Sequence, residues 1–382
     1  MDASRGAAAL LGAALSTALL LTGCTSGGGR TGTGTHGSTE TGIHGSTEAG
    51  AHGNTEAGAH GSTETGTHSD TGTGTHGDTA TGATAPGEPP HADDPFWADP
   101  GGPAARQLAV YESRGDEAEA EAAAVRRIAG RATGEWLGGA EPEARARAVT
   151  EAAERAGRVP LLVLYDIPSR DCGQYSRGGA ADGTAYRAWT AAVARGIADR
   201  PAWVVVEPDA LLHLVDGCLP PALREERYAL LEDAVTTLTS LKNTRVYLDA
   251  GNAGRGRTDG MDRALLRAGV ARADGFAVNV SNFYSTGDSV AYGRQLSAAV
   301  GGKHFVVDTS RNGNGPSREG DPAERWCNPP GRALGTPPTT RTADPLVDAY
   351  LWVKTPGESD GECKGGPKAG TWWPEYAREL TR

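Results

Sequence analysis

Six short runs of branched and aromatic apolar residues recur through the second part of this chain, at 160–165 (PLLVLY), 203–207 (WVVVE), 245–248 (RVYL), 275–278, 304–307 (HFVV) and 350–353 (YLWV). Each is too short for a helix and too continuously apolar for a strand with one wet face. They therefore predict strands covered on both sides. Between them lie Ala-rich stretches with helical spacing of apolar residues, at 184–198, 222–241, 260–268 and 288–300, and two more precede the first run, at 117–129 and 143–156. Strand–helix alternation on this scale predicts an α/β fold, a parallel sheet with helices outside it. No Gly-rich dinucleotide fingerprint opens the first unit, so a barrel is favoured over an open sheet.

The alternation begins only after about residue 93. Residues 1–92 carry just Arg5 and Arg30 as bases, and residues 25–92 contain no Trp, Tyr or Phe. They divide into two parts. Arg5 precedes an apolar run at 8–21, the length of a signal-peptide core and too short to span a bilayer. It ends in Leu21-Thr22-Gly23-Cys24, which resembles a bacterial lipoprotein box. Residues 1–23 are expected to be a signal peptide. Cys24 is the expected lipidation site, anchoring an exported chain to the outer face of the membrane, or leaving it secreted if unmodified. From 24 to 92, His36, His44, His52, His60, His68 and His76 mark an eight-residue Gly/Thr repeat. Nothing apolar recurs in it, so it can bury no face and is expected to be a disordered spacer. A flexible chain of that length has an end-to-end distance of roughly 45 Å.

Residues 93–382 form one expected domain. The formal net charge of the whole chain is −11, with no Lys/Arg block, which argues against a nucleic-acid partner. Apart from Cys24 the cysteines are Cys172, Cys218, Cys327 and Cys363. An even set of four in an exported domain predicts two disulfides, in any of three connectivities. No spacing fits a zinc site, and neither metal nor organic cofactor is expected.

Polar residues follow the apolar runs, where a barrel places its active site. They include Asp166, Arg170 and Asp171, then Glu207 and Asp209, then Asp249, Asn279, Asn282, Asp308, Arg311, Lys354, Glu358 and Asp360. Carboxylates for acid–base work, amides for hydroxyls and indoles for sugar faces suit a carbohydrate. Within the domain, His213 and His304 read as structural.

Five strings sharpen this: YDIPSRDCG at 165–173, VVVEPDAL at 204–211, VDTSRNGNGP at 307–316, WCNPPGRALG at 326–335 and WVKTPGESDG at 352–361. Together they resemble glycoside hydrolase family 6, the cellulases that cleave β-1,4-glucan with inversion. The likeness runs from PFWADP at 95–100 to the C-terminus. It implies a distorted, incomplete TIM-like barrel of about seven strands. It implies Asp209 as general acid, Asp171 as the charge beside it, Asp360 as the candidate base and Tyr165 beside the scissile sugar. Arg170 would pair with the carboxylates, and the Ser176 backbone would hold water. Trp97, Trp136, Asn279, Asn282, Trp326, Lys354 and Glu358 are the expected sugar-binding residues. The family's pairing implies Cys172–Cys218 and Cys327–Cys363.

One block departs from the family: Asn252 and Arg255 stand where a His and a Trp are usual, in DAGNAGR at 249–255. That places the preferred glucan in question rather than the reaction. The expectation is a monomeric, endo-acting β-1,4-glucanase. The competing expectations are a cell-surface protein that binds carbohydrate without cleaving it, and a hydrolase of another glycan.

Overall fold

Two helices, α1 (Pro103–Glu112) and α2 (Glu119–Ala129), precede the first strand, β1 (Glu135–Leu137). Helix α3 (Pro142–Arg155) leads to β2 (Leu161–Leu164), α4 (Gly183–Ile197) to β3 (Ala202–Val206), and α5 (Ala210–Asp216) with α6 (Pro221–Thr239) to β4 (Thr244–Asp249). Helix α7 (Met261–Arg267) precedes β5 (Gly275–Val278), α8 (Thr286–Ala299) precedes β6 (His304–Asp308), and α9 (Pro374–Leu380) follows β7 (Val347–Leu351). This computed structural model describes residues 94–382 apart from 256, 257, 259 and the Arg255 side chain. The expected signal peptide, Cys24 and the His repeat lie outside the described residues. Among the described residues, no helix is long and apolar enough to cross a membrane.

The seven strands make one sheet in sequence order, every neighbouring pair parallel. Alternate residues of each strand point to opposite faces. Leu162, Leu164, Val204, Val206, Val246 and Leu248 face the helices and pack on Tyr186, Val193 and Leu231. Leu161, Val163, Trp203, Val205, Tyr247 and Ala277 gather on the inner face with Val306, Ala349 and Leu351. Side chains from β2 through β7 meeting in one inner cluster require a sheet that curls on itself. The expected incomplete barrel is therefore present.

The curl stops short of closure. Among the described residues, no ladder joins β7 to β1. The seam is spanned instead by the Gly134 N–H, which donates to the Trp352 carbonyl at 2.9 Å, and by Trp136 Nε1, which donates to the Val353 carbonyl at 2.9 Å. A Cβ on Gly134 would collide with that Val353 carbonyl, so glycine is what lets the two edges approach.

Local signals account for most helix starts. Proline opens α1, α3, α6 and α9, where its missing N–H costs nothing. The Asp182 carboxylate caps α4 through the Ala185 N–H, and the Ser285 hydroxyl caps α8 through the Asp288 N–H. The expected elements are found with ends shifted by a few residues. The last strand is the largest shift, ending at Leu351 rather than 353 and starting at Val347. Strand β1 and helices α1, α5 and α9 have no counterpart among the predicted strands and helices.

Candidate active site

The C-terminal ends of the strands open into a cleft of about 1380 Å³. Its floor is organised by buried carboxylates that bind backbone rather than face the cavity. Glu207, at the end of β3, is 1% exposed and accepts three hydrogen bonds, two from the Asp166 N–H at 3.0 and 3.1 Å and one from the Ile167 N–H at 3.1 Å. Asp308, at the end of β6, accepts the N–H groups of Ser281, Ser310 and Lys354. Asp249, at the end of β4, accepts from the N–H groups of Asp209 at 2.9 Å and Gly251 at 3.2 Å. Each carboxylate fixes the loop that follows a neighbouring strand. Burial pushes Glu207 and Asp249 up to about 7 and raises Asp308, while the N–H donors oppose the shift.

Asp209 begins α5 with φ +66°, a conformation rare for a side-chain-bearing residue. It is half-buried and lines the cleft. Burial raises its pKa well above the ordinary carboxylate range, and the negative charges of Asp249 and then Asp171 raise it further. Asp171 also has positive φ, and its Oδ2 accepts the Ser176 N–H at 2.6 Å. Burial raises its pKa, opposed by that N–H and by the Arg170 charge.

Arg170 does not form the expected carboxylate pair. Its Nε donates to the Ser176 carbonyl at 2.7 Å, Nη1 donates to the Tyr165 carbonyl, and its guanidinium lies 4.5 Å from the Tyr165 ring centroid. It thus shapes the loop and supports Tyr165. The Ser176 backbone, expected to hold water, gives its N–H to Asp171 and accepts from Arg170 at its carbonyl. Tyr165 meets Trp136 edge-on, with 5.1 Å between centroids. Burial first, then the charges of Asp209 and Asp171, keep its phenol neutral.

The cleft's far wall comes from the segments after β6 and β7. Asp360 Oδ2 accepts from Arg311 Nη1 at 2.9 Å and from the Asn328 N–H at 3.0 Å. Arg311 is fully buried and also lies 4.3 Å from the Phe283 ring centroid. Lys354 sits 3.6 Å from Glu358 and 5.9 Å from the Trp136 ring centroid. Trp326 faces Tyr175 at 6.2 Å between centroids. The disulfides Cys172–Cys218 and Cys327–Cys363 are both formed. The first ties the Asp171 loop to the end of α5, and the second ties the Trp326 segment to the Asp360 loop.

The expected residues therefore divide. Tyr165, Asp171, Asp209 and Asp360 line one cleft, as do Trp136, Asn282, Trp326, Lys354 and Glu358. Trp97 does not. It bonds through its N–H to the Val159 carbonyl, just before β2, and lines a separate cavity of about 400 Å³ with Phe96 and Arg158. It belongs to the N-terminal end of the barrel, opposite the strand ends. Asn279 is also displaced from its expected role. It is fully buried, and its amide bonds the Tyr284 backbone and the Asp308 carbonyl. His304 bonds Asp348 at 2.8 Å, as a structural residue would.

Three residues were not expected in the cleft. His213, read as structural, lines it, and burial followed by the Arg227 charge lowers its pKa to about 4. Its neighbours Cys172 and Cys218 bridge each other, so neither is a thiolate that could share a metal with it. Glu135 lines the cleft from β1 and is pushed up to about 7, by burial and then by the charges of Asp99 and Glu358. Tyr284 lines it from the loop after β5. The EWL string around Glu135 was the available signal, but three residues give no periodicity to read.

Residues 91–382 match the family described as glycosyl hydrolases family 6. The chain belongs to that family. It is 47% identical over 249 residues to Endoglucanase A of Cellulomonas fimi, covering 65% of this chain and 53% of that protein. It is 43% identical over 313 residues to Endoglucanase 1 of Streptomyces halstedii, covering 78% of this chain and 94% of that one. Its fold superimposes with a TM-score of 0.69 on the endoglucanase Cel6 from Mycobacterium tuberculosis, solved in complex with methyl-cellobiosyl-4-deoxy-4-thio-β-D-cellobioside. Those two are 44% identical, with 76% of this chain and 97% of that chain covered. The match thus spans about half of the Cellulomonas protein and nearly all of the Streptomyces one.

Proposed function

We propose that this family 6 protein is an inverting, endo-acting β-1,4-glucanase that cleaves cellulose or a related β-glucan. The observation that carries the reading is Asp209. It is a half-buried carboxyl in the cleft, and burial first, then the charges of Asp249 and Asp171, raise its pKa well above the ordinary carboxylate range. A general acid must hold its proton at working pH. In this mechanism Asp209 gives its proton to the glycosidic oxygen as the bond to the anomeric carbon breaks. A water attacks that carbon from the opposite face and loses its own proton to a carboxylate. Asp171 and Asp360 are the two candidates. Burial strengthens Asp171 as a base, whereas the buried Arg311 holds Asp360 Oδ2 in an ion pair. Tyr165, Trp136 and Trp326 offer aromatic faces to sugar rings, and Lys354, Glu358 and Asn282 offer hydroxyl partners. The 40–47% identity to proteins named endoglucanase supports endo action.

The test is reducing-sugar release from carboxymethylcellulose with the product anomer followed by NMR, beside an Asp209→Ala control. α-Anomeric product from the parent alone supports the reading. Glucan binding without cleavage by the parent overturns it.

Export is part of the proposal. Residues 1–23 act as signal peptide, Cys24 carries the lipid, 24–92 is the spacer, and 93–382 works as a monomer at the outer membrane face. Its support is the sequence pattern. Metabolic labelling with a radioactive fatty acid tests it, with loss of label and release of the Cys24→Ala chain as the expected result.

A further inference from the structure

One arm of the cleft is built on the turn at 252–254, where Asn252 and Gly254 line the cavity. Asn252 closes a tight turn there, its Oδ1 accepting the Gly254 N–H at 3.0 Å. A Cβ on Gly254 would collide with the hydroxyl end of the Tyr284 ring. The Tyr284 side chain therefore lies directly on this turn. It is half-buried and faces the cleft.

The backbone of Tyr284 is held with unusual care. Its N–H donates to Asn279 Oδ1 at 3.1 Å. Its carbonyl accepts from Asn279 Nδ2 at 3.2 Å, Asn312 Nδ2 at 3.1 Å and Ser289 Oγ at 3.3 Å. Asn279 and Asn312 are 0% and 3% exposed. Burying two amides is costly unless their bonds are made. Here several of those bonds converge on the backbone of a residue that lines the cleft. Burial also raises the phenol pKa, so the ring stays neutral, while the Arg325 charge acts on it in the opposite direction. A neutral, fixed, half-exposed aromatic ring on a cleft wall is what sugar stacking requires.

We infer that Tyr284 is a glucose-stacking platform in the arm of the cleft beside the 252–254 turn. The ligand class is a β-1,4-linked glucosyl chain, so the inference rests on the glucanase reading. The competing role is purely structural: the ring would prop the 252–254 turn and touch no sugar.

The experiment measures cellohexaose binding by calorimetry in the full chain carrying Asp209→Asn, which stops turnover. Tyr284→Ala, Tyr284→Phe and Tyr284→Trp are compared in that background. A platform predicts an affinity loss of about three- to ten-fold for Tyr284→Ala, with Tyr284→Phe and Tyr284→Trp within about two-fold of the parent. It also predicts that, with Asp209 restored, Tyr284→Ala raises KM and leaves kcat within about two-fold. Equal cellohexaose affinity in Tyr284→Ala and parent overturns the inference alone. So does an equal loss in Tyr284→Phe and Tyr284→Ala, which would assign the effect to the hydroxyl. No cellohexaose binding by the parent overturns the glucanase reading, and the platform with it.

Discussion

The backbone N–H of Asp209 donates to Asp249 Oδ2 at 2.9 Å, so the residue that fixes the proposed acid's backbone also supplies negative charge that raises its pKa. Positioning and part of the tuning, added to the larger effect of burial, come from a single buried carboxylate. Asp249→Asn separates them, because an amide oxygen still accepts the N–H but carries no charge. A general acid works only while protonated, so activity falls as pH rises through its pKa. Removing the Asp249 charge lowers that pKa. The expected outcome is an alkaline limb of kcat displaced to lower pH in Asp249→Asn. Asp209→Ala should lose about 10²–10⁴ in kcat. An unmoved alkaline limb in Asp249→Asn would show that its charge does not govern the acid.

The same burial has a consequence for stability. Glu135, Glu207 and Asp249 each titrate near 7 in the folded protein, against 4.5 for an ordinary Glu and 3.8 for an ordinary Asp. Between those limits the folded state holds more protons than the unfolded one, so stability falls as pH rises. Their contribution is full below about pH 4 and is lost as pH climbs through about 7. Together the three should amount to several kcal/mol, and Tm should drop by roughly 5–10 °C between pH 5 and pH 8. Scanning calorimetry at both pH values checks this. Glu207→Gln keeps an acceptor for the Asp166 and Ile167 N–H groups and should flatten the slope. A Tm that rises across this interval would contradict the assignment.

What the sequence made legible follows from chain locality. Runs such as LLVL and AWVVV announce buried parallel strands because both faces need apolar side chains. The strings around Asp171, Asp209 and Asp360 announced the cleft because a barrel gathers strand ends. Which strand-end polar residue faces the cavity was not legible. Glu207 and Asp209 are two residues apart, yet one binds backbone and the other faces the cleft. Both residues have positive φ, so the difference rests on the Asp166 and Ile167 N–H donors, from a segment about 40 residues away, that hold the Glu207 carboxylate. Asn279 misled for the same reason, since an amide that bonds a sugar and one that bonds the Tyr284 backbone look alike in sequence. Trp97 misled because a family block near the N-terminus carries no sign of which end of the barrel it covers.

Cys172–Cys218 closes a 46-residue separation and joins the two loops that carry Asp171 and the end of α5. Constraining the unfolded chain over that span is worth about 2–4 kcal/mol. Its position also restrains Asp171 relative to Asp209. Replacing both cysteines with Ser should lower Tm by roughly 5–12 °C. It should also reduce kcat at temperatures where the protein remains folded. Thermal melts paired with kinetics at low temperature separate the two effects. A Tm loss with unchanged kcat would confine the bridge to stability.

Gly134 offers the sharpest test of how the open seam serves catalysis. Its N–H bonds the Trp352 carbonyl, and a Cβ there would strike the Val353 carbonyl and the Val163 side chain. The same Val353 carbonyl accepts from Trp136 Nε1, and the Trp136 ring packs edge-on against Tyr165. Gly134→Ala must therefore part β1 from β7 or shift Trp136, and either change moves the wall beside Tyr165. Overpacking of this kind costs about 1–3 kcal/mol. The expected outcome is a lowered Tm together with a several-fold loss of kcat/KM on soluble cellulose. Ala234→Gly, buried within α6 and outside the cleft lining, serves as a control for stability loss alone. If Gly134→Ala melts like the parent and turns over like it, the seam is looser than the Gly134–Trp352 bond implies.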